Sequence, residues 1–244
     1  MFARTGDQQL FEDTTKRFLE AECPLDTMRE VAASPGGYGA GFWRRGAGLG
    51  WTSLVVPADV GGGSITGQGV RDLALVGYQF GLHAAPGPLL GSNVVAASIG
   101  RWGSPEQRAG PLTELLSGDA MGAWALAEPP PHDALGDVAL RADESADGFV
   151  LEGVKSPVEG GADASYFLVT ARSGPGVSQF LVPAGCPGVR VTPLHSLDLT
   201  KRFAAIVFDH AVIPRTSLVG EVGKAGAAVE WLTDVAVTVQ VAEM

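Results

Sequence analysis

The chain has 244 residues, 45% of them hydrophobic, which suffices for one large core or two smaller ones. Its formal net charge of −10 argues against nucleic acid and against an anionic membrane surface as partners, because both require a basic patch. Cys23 and Cys186 have neither the spacing of a disulfide framework nor that of a metal site. Because the sequence also lacks the apolar core of a signal peptide and any membrane-spanning run, we expect a cytoplasmic protein.

The first half of the chain predicts helices joined by short connections. Residues 7–32 predict a helix with Asp7 as N-cap and an interruption at Pro24. The residues that recur at helical spacing, and so define its expected buried face, are Leu10, Phe11, Thr14, Phe18 and Leu19. A short helix is expected to begin at Phe42-Trp43, an amphipathic helix over 70–80 and a nearly all-apolar helix over 89–99.

Two local signals are more specific. Ser104 followed by Pro105 and Gln107 predicts a helix start with a capping box, and this helix is expected to end at Ser117-Gly118. The run Gly61-Gly62-Gly63 predicts a turn rather than a phosphate-binding loop, because no strand-loop-helix unit with G-x-G-x-x-G spacing surrounds it.

After residue 120 the hydrophobic period changes from helical to alternating. The segments that predict strands are 121–126, 138–141, 149–151, 166–170, 179–182, 189–191 and 204–208. Turn residues separate them at short intervals, and Asp209-His210 predicts a polar turn after the last strand. This pattern indicates a small antiparallel β-barrel or sandwich.

Helical spacing returns after Gly220. The apolar residues of this last helix are Trp231, Leu232, Val235 and Val239, and we expect this stripe to need a partner outside the chain, either further helices or another subunit. The predicted fold is therefore α+β. Its domains are an N-terminal helical domain over 1–120, a β-domain over 121–220 and the start of a further helical domain over 221–244.

Five motifs in this order resemble the acyl-CoA dehydrogenase family. They are S-P-E-Q-R at 104–108, A-E-P at 127–129, G-x-K at 153–155 followed by A-D to A-R over 162–172, L-D-L-T-K-R at 197–202 and the strand-exit segment 204–220. The L-D-L-T-K-R run is similar to one seen in many actinobacterial members. The resemblance covers almost the whole chain and implies that the final helix begins the family's C-terminal helical domain.

The resemblance implies FAD as cofactor. Carried over by motif, Trp124, Leu126 and Ala127 lie at the flavin edge, and Pro157 and Glu159 form a second contact. Three of these depart from the family pattern: Ala127 has no hydroxyl, Pro157 replaces a Trp and Glu159 replaces Ser or Thr. The substrate side would be formed by His132 and Asp133, which stand where the family has G-S-D.

The implied activity is α,β-dehydrogenation of an acyl-CoA thioester from a fatty acid or steroid side chain. In the family the carboxylate base and the groups that hold the adenosine half of FAD lie in the C-terminal helical domain, so no residue of 1–244 is nominated as catalytic. We expect a homo- or hetero-oligomer with an acyl-CoA dehydrogenase subunit, in which this chain is the catalytically reduced partner. Alternatives are a non-catalytic acyl-CoA-binding or scaffolding subunit and, with the same fold, a flavin-dependent monooxygenase.

Overall fold

The computed structural model describes residues 4–24, 26, 31, 39–129 and 137–244. The helices among them are α1 (Gly6–Glu22), α2 (Ala40–Gly48), α3 (Gly69–Leu82), α4 (Leu89–Trp102), α5 and α6 (Gly226–Glu243). Helix α5 consists of Pro105–Gln107, a π-helical turn Arg108–Leu112 and Thr113–Ser117. It begins with the predicted capping box, in which Ser104 Oγ accepts from Gln107 N and Gln107 Oε1 accepts from Ser104 N.

Helix α1 differs from its prediction at its start and in its buried face. Its N-cap is Thr5 rather than Asp7, because Thr5 Oγ1 accepts from Gln8 N at 3.2 Å. The buried residues are Gln8, Glu12, Thr15 and Leu19, whereas Leu10 is 64% exposed. The described part of this helix ends at Glu22, before Pro24, as the sequence predicts.

In the described part of the chain, eight strands form one sheet. They are β1 (Gly122–Ala125), β2 (Arg141–Ser145), β3 (Gly148–Glu159), β4 (Tyr166–Ser173), β5 (Gly176–Pro183), β6 (Val189–Leu194), β7 (Phe203–Pro214) and β8 (Leu218–Val219). Their order is β6-β7-β3-β2-β4-β5-β8, and β1 pairs with β4 off this path. The pairings are antiparallel except those of β1 and β2 with β4. The predicted α+β fold class is confirmed, with a mostly antiparallel sheet.

Two strand predictions are wrong in detail. Of the predicted segment 138–141, only Arg141 lies in a strand, because β2 begins there. The predicted turn at Asp209-His210 is a bulge inside the continuous strand β7, where pairing with β3 shifts register between Leu151 and Gly153. His210 takes a positive φ of 51° there, so one extra residue fits into β7 without ending it.

The apolar residues form two main cores. One joins the helices and includes Trp43, Trp51 and Leu73, and the other fills the sheet around Phe149 and Phe180. Leu232, Val235 and Val239 of α6 belong to the helical core. The expectation that their stripe lacks a partner inside the chain is therefore wrong, since α6 packs against α3 and α4. The opposite face of α6 carries the exposed Val237 and Val241.

Glycine lets α3 and α6 approach closely. A Cβ placed on Gly77 would lie 3.2 Å from the backbone oxygen of Val239, and one on Gly81 would overlap the backbone oxygen of Glu243. These two glycines, four residues apart on one face of α3, therefore fix how the last turns of α6 lie beside it. This places Glu243 near the C-terminal end of α3, which matters for the site below.

Candidate functional site

A cleft of about 620 Å³ lies between the sheet and the helices α4 and α6. All five residues that the sequence assigns to flavin contact line it: Trp124, Leu126, Ala127, Pro157 and Glu159. They come from two segments that are about 30 residues apart in sequence, the end of β1 and the end of β3. His132 and Asp133, the two residues assigned to substrate contact, lie outside the described residues.

Hydrogen bonds hold the two segments together. Ser156 N donates to Ala127 O at 2.8 Å, and Lys155 Nζ donates to Leu126 O at 3.0 Å. On its other side β1 pairs in parallel with β4, with Trp124 opposite Leu168. The chain after β1 therefore lies beside β3, and the cleft residues on both segments face the same space.

A buried ion pair joins the A-E-P and G-x-K motifs. Lys155 Nζ lies 2.6 Å from Glu128 Oε1, and the Lys155 and Glu128 side chains are 0% and 5% exposed. The Glu128 carboxylate also accepts from Ala139 N at 2.7 Å and Leu140 N at 3.0 Å. Burial acts to raise the pKa of Glu128, but these hydrogen bonds outweigh it and lower that pKa. Glu128 is therefore a structural ion-pair residue that ties the two motifs together.

Trp124 contacts both the helical core and the cleft. Its ring packs on the helical core and on a small cluster that includes Val138 and Val229. Its indole Nε1 is buried and has no hydrogen-bond partner among the described residues. A buried N–H without an acceptor is costly, so this atom favours an acceptor supplied from the cleft.

Glu159 is half-buried and paired. Its Oε1 lies 3.1 Å from Lys201 Nζ, which also lies 2.6 Å from Glu243 Oε2. Burial acts to lower the pKa of Lys201, but the two carboxylates outweigh it and raise that pKa. Burial raises the pKa of Glu243 and outweighs the ammonium of Lys201, which acts to lower it; the nearby carboxylates of Glu159 and Asp198 raise it further.

The cleft is lined by carboxylates and apolar groups. Besides Glu128 and Glu159, helix α6 contributes Glu230 and Asp234, and no Lys or Arg is among the described residues that line it. The two paired glutamates are neutralised by lysines that lie behind the surface of the cleft. Such a cleft suits an uncharged planar group and not a diphosphate, because a diphosphate needs cationic or N–H donors.

The structure also bears on the remaining motifs. The Gly61-Gly62-Gly63 segment follows a short 3₁₀ turn, Ala58–Val60, and Gly61 takes φ 92°, so the predicted turn is confirmed. The described residues contain no group of three or more His, Cys, Asp or Glu side chains that could hold a metal ion. None of the described helices has both the length and the apolar character needed to cross a bilayer.

Sequence comparison agrees with this architecture. Residues 5–119 match the family model described as "Acyl-CoA dehydrogenase, N-terminal domain". The acyl-CoA dehydrogenase FadE27 of Mycobacterium tuberculosis is 32% identical over 199 residues, which is 81% of this chain and 51% of that protein. The chain belongs to the acyl-CoA dehydrogenase family.

Two further proteins are similar over more of the chain. The acryloyl-CoA reductase (NADH) of Anaerotignum propionicum is 26% identical over 234 residues, covering 91% of this chain and 58% of the relative. The crystal structure of the ChsE4-ChsE5 complex from Mycobacterium tuberculosis matches the whole chain and 64% of its own chain, with a TM-score of 0.85 and 28% identity. This acyl-CoA dehydrogenase family member thus spans about half the length of the curated relatives it matches.

Two residues at the edge of the cleft were missed by the sequence analysis. Lys201 lies inside the L-D-L-T-K-R motif, but its spacing gives no indication that it would pair with Glu159. Glu243 lies in the last helix, outside every family motif, and only the close α3–α6 packing brings it to Lys201. Of these two residues, only Lys201 could have been singled out from the sequence, because it is a cation in a family motif that precedes a buried strand. Its partner could not.

Proposed function

We propose that this chain is a flavoprotein subunit of the acyl-CoA dehydrogenase type that acts in α,β-dehydrogenation of an acyl-CoA thioester. The observation that carries the proposal is the single cleft that gathers Trp124, Leu126, Ala127, Pro157 and Glu159. Its volume of about 620 Å³ is within the range of small-molecule sites. The family relationship supplies the class of reaction.

The lining of the cleft fits the ring of FAD. Leu126, Ala127 and Pro157 offer an apolar surface for a flat ring, and the unpartnered Trp124 Nε1 offers a donor to one of its polar atoms. Bound FAD would supply the hydride acceptor for the β-carbon of the acyl group. The residues of this chain bind and orient the ring and exclude water from one side of it. Lys201 forms an ion pair with Glu159 and so balances the charge of that carboxylate.

The same cleft supports a reduced catalytic role within a heteromer. Ala127 has no hydroxyl, Pro157 has no N–H, and four carboxylates but no described Lys or Arg line the cleft. We therefore propose a hetero-oligomer in which a second acyl-CoA dehydrogenase subunit contributes catalytic groups. Two similar solved structures bear on this: the ChsE4-ChsE5 complex and, with 26% identity and a TM-score of 0.82, a Tcur3481-Tcur3483 steroid acyl-CoA dehydrogenase variant. A steroid side chain is accordingly our preferred acyl class over a linear fatty acid.

A second candidate is a non-catalytic acyl-CoA-binding subunit. The acidic lining and the loss of two side-chain donors favour it, because each lost hydrogen bond to the ring costs about 0.5–1.5 kcal/mol. The two functions differ in flavin content and not in fold. The flavin-dependent monooxygenase interpretation has no observation in its favour in this cleft.

The visible absorption spectrum of the purified chain tests the proposal. It would be recorded before and after adding FAD, alone and with the co-expressed dehydrogenase-like partner. We expect flavin bound near-stoichiometrically in the pair. Ala127 is exposed and lines the cleft, so Ala127→Trp places a large side chain there and should abolish flavin binding. Ala146→Trp is the control: Ala146 is exposed in the β2–β3 turn, and its replacement should leave flavin binding unchanged. No bound flavin in any mixture would overturn the oxidoreductase function and leave the binding subunit.

A further inference from the structure

A third segment of the β-domain lines the cleft, besides the ends of β1 and β3. This is the 138–140 segment, which precedes β2 and contributes Val138 to the lining. Val138 is 6% exposed and belongs to the small apolar cluster against which Trp124 and Leu126 pack. The position of the 138–140 segment therefore helps to set the shape of the cleft beside the residues assigned to the flavin edge.

Glu128 binds the backbone of the 138–140 segment through both carboxylate oxygens. Its Oε2 accepts from Ala139 N at 2.7 Å, and its Oε1 accepts from Leu140 N at 3.0 Å. The Glu128 side chain is only 5% exposed, so water competes little for these bonds. Hydrogen bonds to an ionised acceptor are also stronger than those between neutral groups. The carboxylate therefore fixes the backbone immediately after Val138.

The G-x-K motif on β3 supports this arrangement in two ways. Gly153 has a φ of 141°, and a Cβ added to it would lie 2.9 Å from Leu140 Cα. Only glycine therefore lets the 138–140 segment lie so close to β3. Two residues later, Lys155 neutralises the Glu128 carboxylate at 2.6 Å. Gly153 thus makes room for the segment, and Lys155 holds the carboxylate that binds it.

We propose that Glu128 is a positioning residue for the flavin: through the amides of Ala139 and Leu140 it holds Val138 where the cleft fits the ring. The inference rests on the proposed function, in which this cleft binds FAD. Glu128 acts through the backbone and not by contact with the ring, because Lys155 and the two amides already occupy its oxygens. Its loss should therefore weaken flavin binding beyond any effect on the stability of the fold.

The affinity of Glu128→Gln for FAD tests this role. Glutamine keeps the size of the side chain, but it is uncharged and offers one acceptor oxygen instead of two. Fluorescence titration with FAD would use the form, alone or paired, in which the wild type binds flavin. We expect the dissociation constant of the variant to rise about tenfold, the equivalent of about one hydrogen bond. Amide hydrogen exchange at Ala139 and Leu140 should become faster in the same variant.

Leu19→Ala is the control for stability. Leu19 is fully buried in α1 and does not line the cleft, so its truncation destabilises the fold and should leave the affinity for FAD unchanged. Val138→Ala is the second variant, and it keeps the test decisive if Glu128→Gln does not fold. It removes the side chain that Glu128 holds in place and should also weaken flavin binding.

The outcomes separate the inference from the function on which it rests. Wild-type affinity for FAD in folded Glu128→Gln, or in Val138→Ala, would overturn the positioning role and leave the proposed function standing. An equal loss of affinity in Leu19→Ala would also overturn it, because affinity would then follow stability alone. Weaker binding without faster exchange at Ala139 and Leu140 would contradict action through the backbone. Failure of the wild type to bind flavin in any mixture would overturn the proposed function itself.

Discussion

Lys155 and Glu128 form a buried ion pair, with Nζ 2.6 Å from Oε1, that joins the segment after β1 to strand β3. The same lysine donates to Leu126 O at 3.0 Å. Both sides of the cleft therefore depend on one ammonium group. This explains why the A-E-P and G-x-K motifs occur together: one supplies the carboxylate and the other the lysine, and the cleft residues lie immediately beside each.

Replacing Lys155 tests how much the ion pair contributes. Lys155→Met should lower the free energy of unfolding by about 3–5 kcal/mol, because it leaves the Glu128 carboxylate buried without its cation. Chemical denaturation at neutral pH measures the change. Lys224→Met is the matched control, since Lys224 forms an exposed ion pair with Glu221 and its loss should leave stability unchanged. Similar effects of the two substitutions would contradict the structural role assigned to Lys155.

Acid should weaken the same interaction. The pKa of Glu128 in the folded chain is lowered from its ordinary value of 4.5, so the unfolded chain binds the proton more readily. The stabilisation is therefore fully present above pH 4.5 and is lost as the pH falls through the folded-state pKa. We expect Glu128→Gln to be less stable than the wild type at neutral pH and to show a smaller loss on acidification. Parallel stability curves for the two proteins would rule this out.

The arrangement of helices and strands follows from sequence, but the buried face of α1 does so only in part. Apolar spacing correctly selected Phe11, Phe18 and Leu19, which belong to or pack against the helical core. It missed Gln8, Glu12 and Thr15, which the helix also buries. Their partners explain the difference: Gln8 donates to Asp72 at 2.7 Å and Glu12 accepts from Gln79 at 3.0 Å. Polar groups become favourable in an interface only when donors and acceptors match across it, and a single helix does not reveal its partners.

The candidate site shows the same limit. Motif resemblance indicated Trp124, Leu126, Ala127, Pro157 and Glu159, and the structure brings these five together in one cleft. The charge balance of the cleft could not be predicted, because in the sequence Glu159 has no cationic neighbour. In the structure Lys201 Nζ lies 3.1 Å from its carboxylate. That contact depends on the loop before β7, and the Lys201–Glu243 contact depends on how closely α6 approaches α3.

Gly81 permits that close approach, and a methyl group there should disrupt it. Gly81→Ala would place a Cβ against the backbone oxygen of Glu243, so we expect a loss of about 1–3 kcal/mol in the free energy of unfolding. Thermal and chemical denaturation measure it. Gly48→Ala, in α2 with no atom within 4 Å of the added Cβ, should be neutral or stabilising. If Gly81→Ala also proved neutral, the helices would have to be farther apart than described.

Restoring the family hydroxyl at position 127 should strengthen flavin binding. Ala127 is exposed and lines the cleft, so Ala127→Thr has room for its side chain and returns one hydrogen-bond donor at the flavin edge. One such bond corresponds to about fivefold in affinity for FAD. Fluorescence titration with FAD measures the change, and Ala146→Thr, exposed in a distant turn, controls for the substitution itself. An unchanged affinity in Ala127→Thr would mean that position 127 does not face the ring.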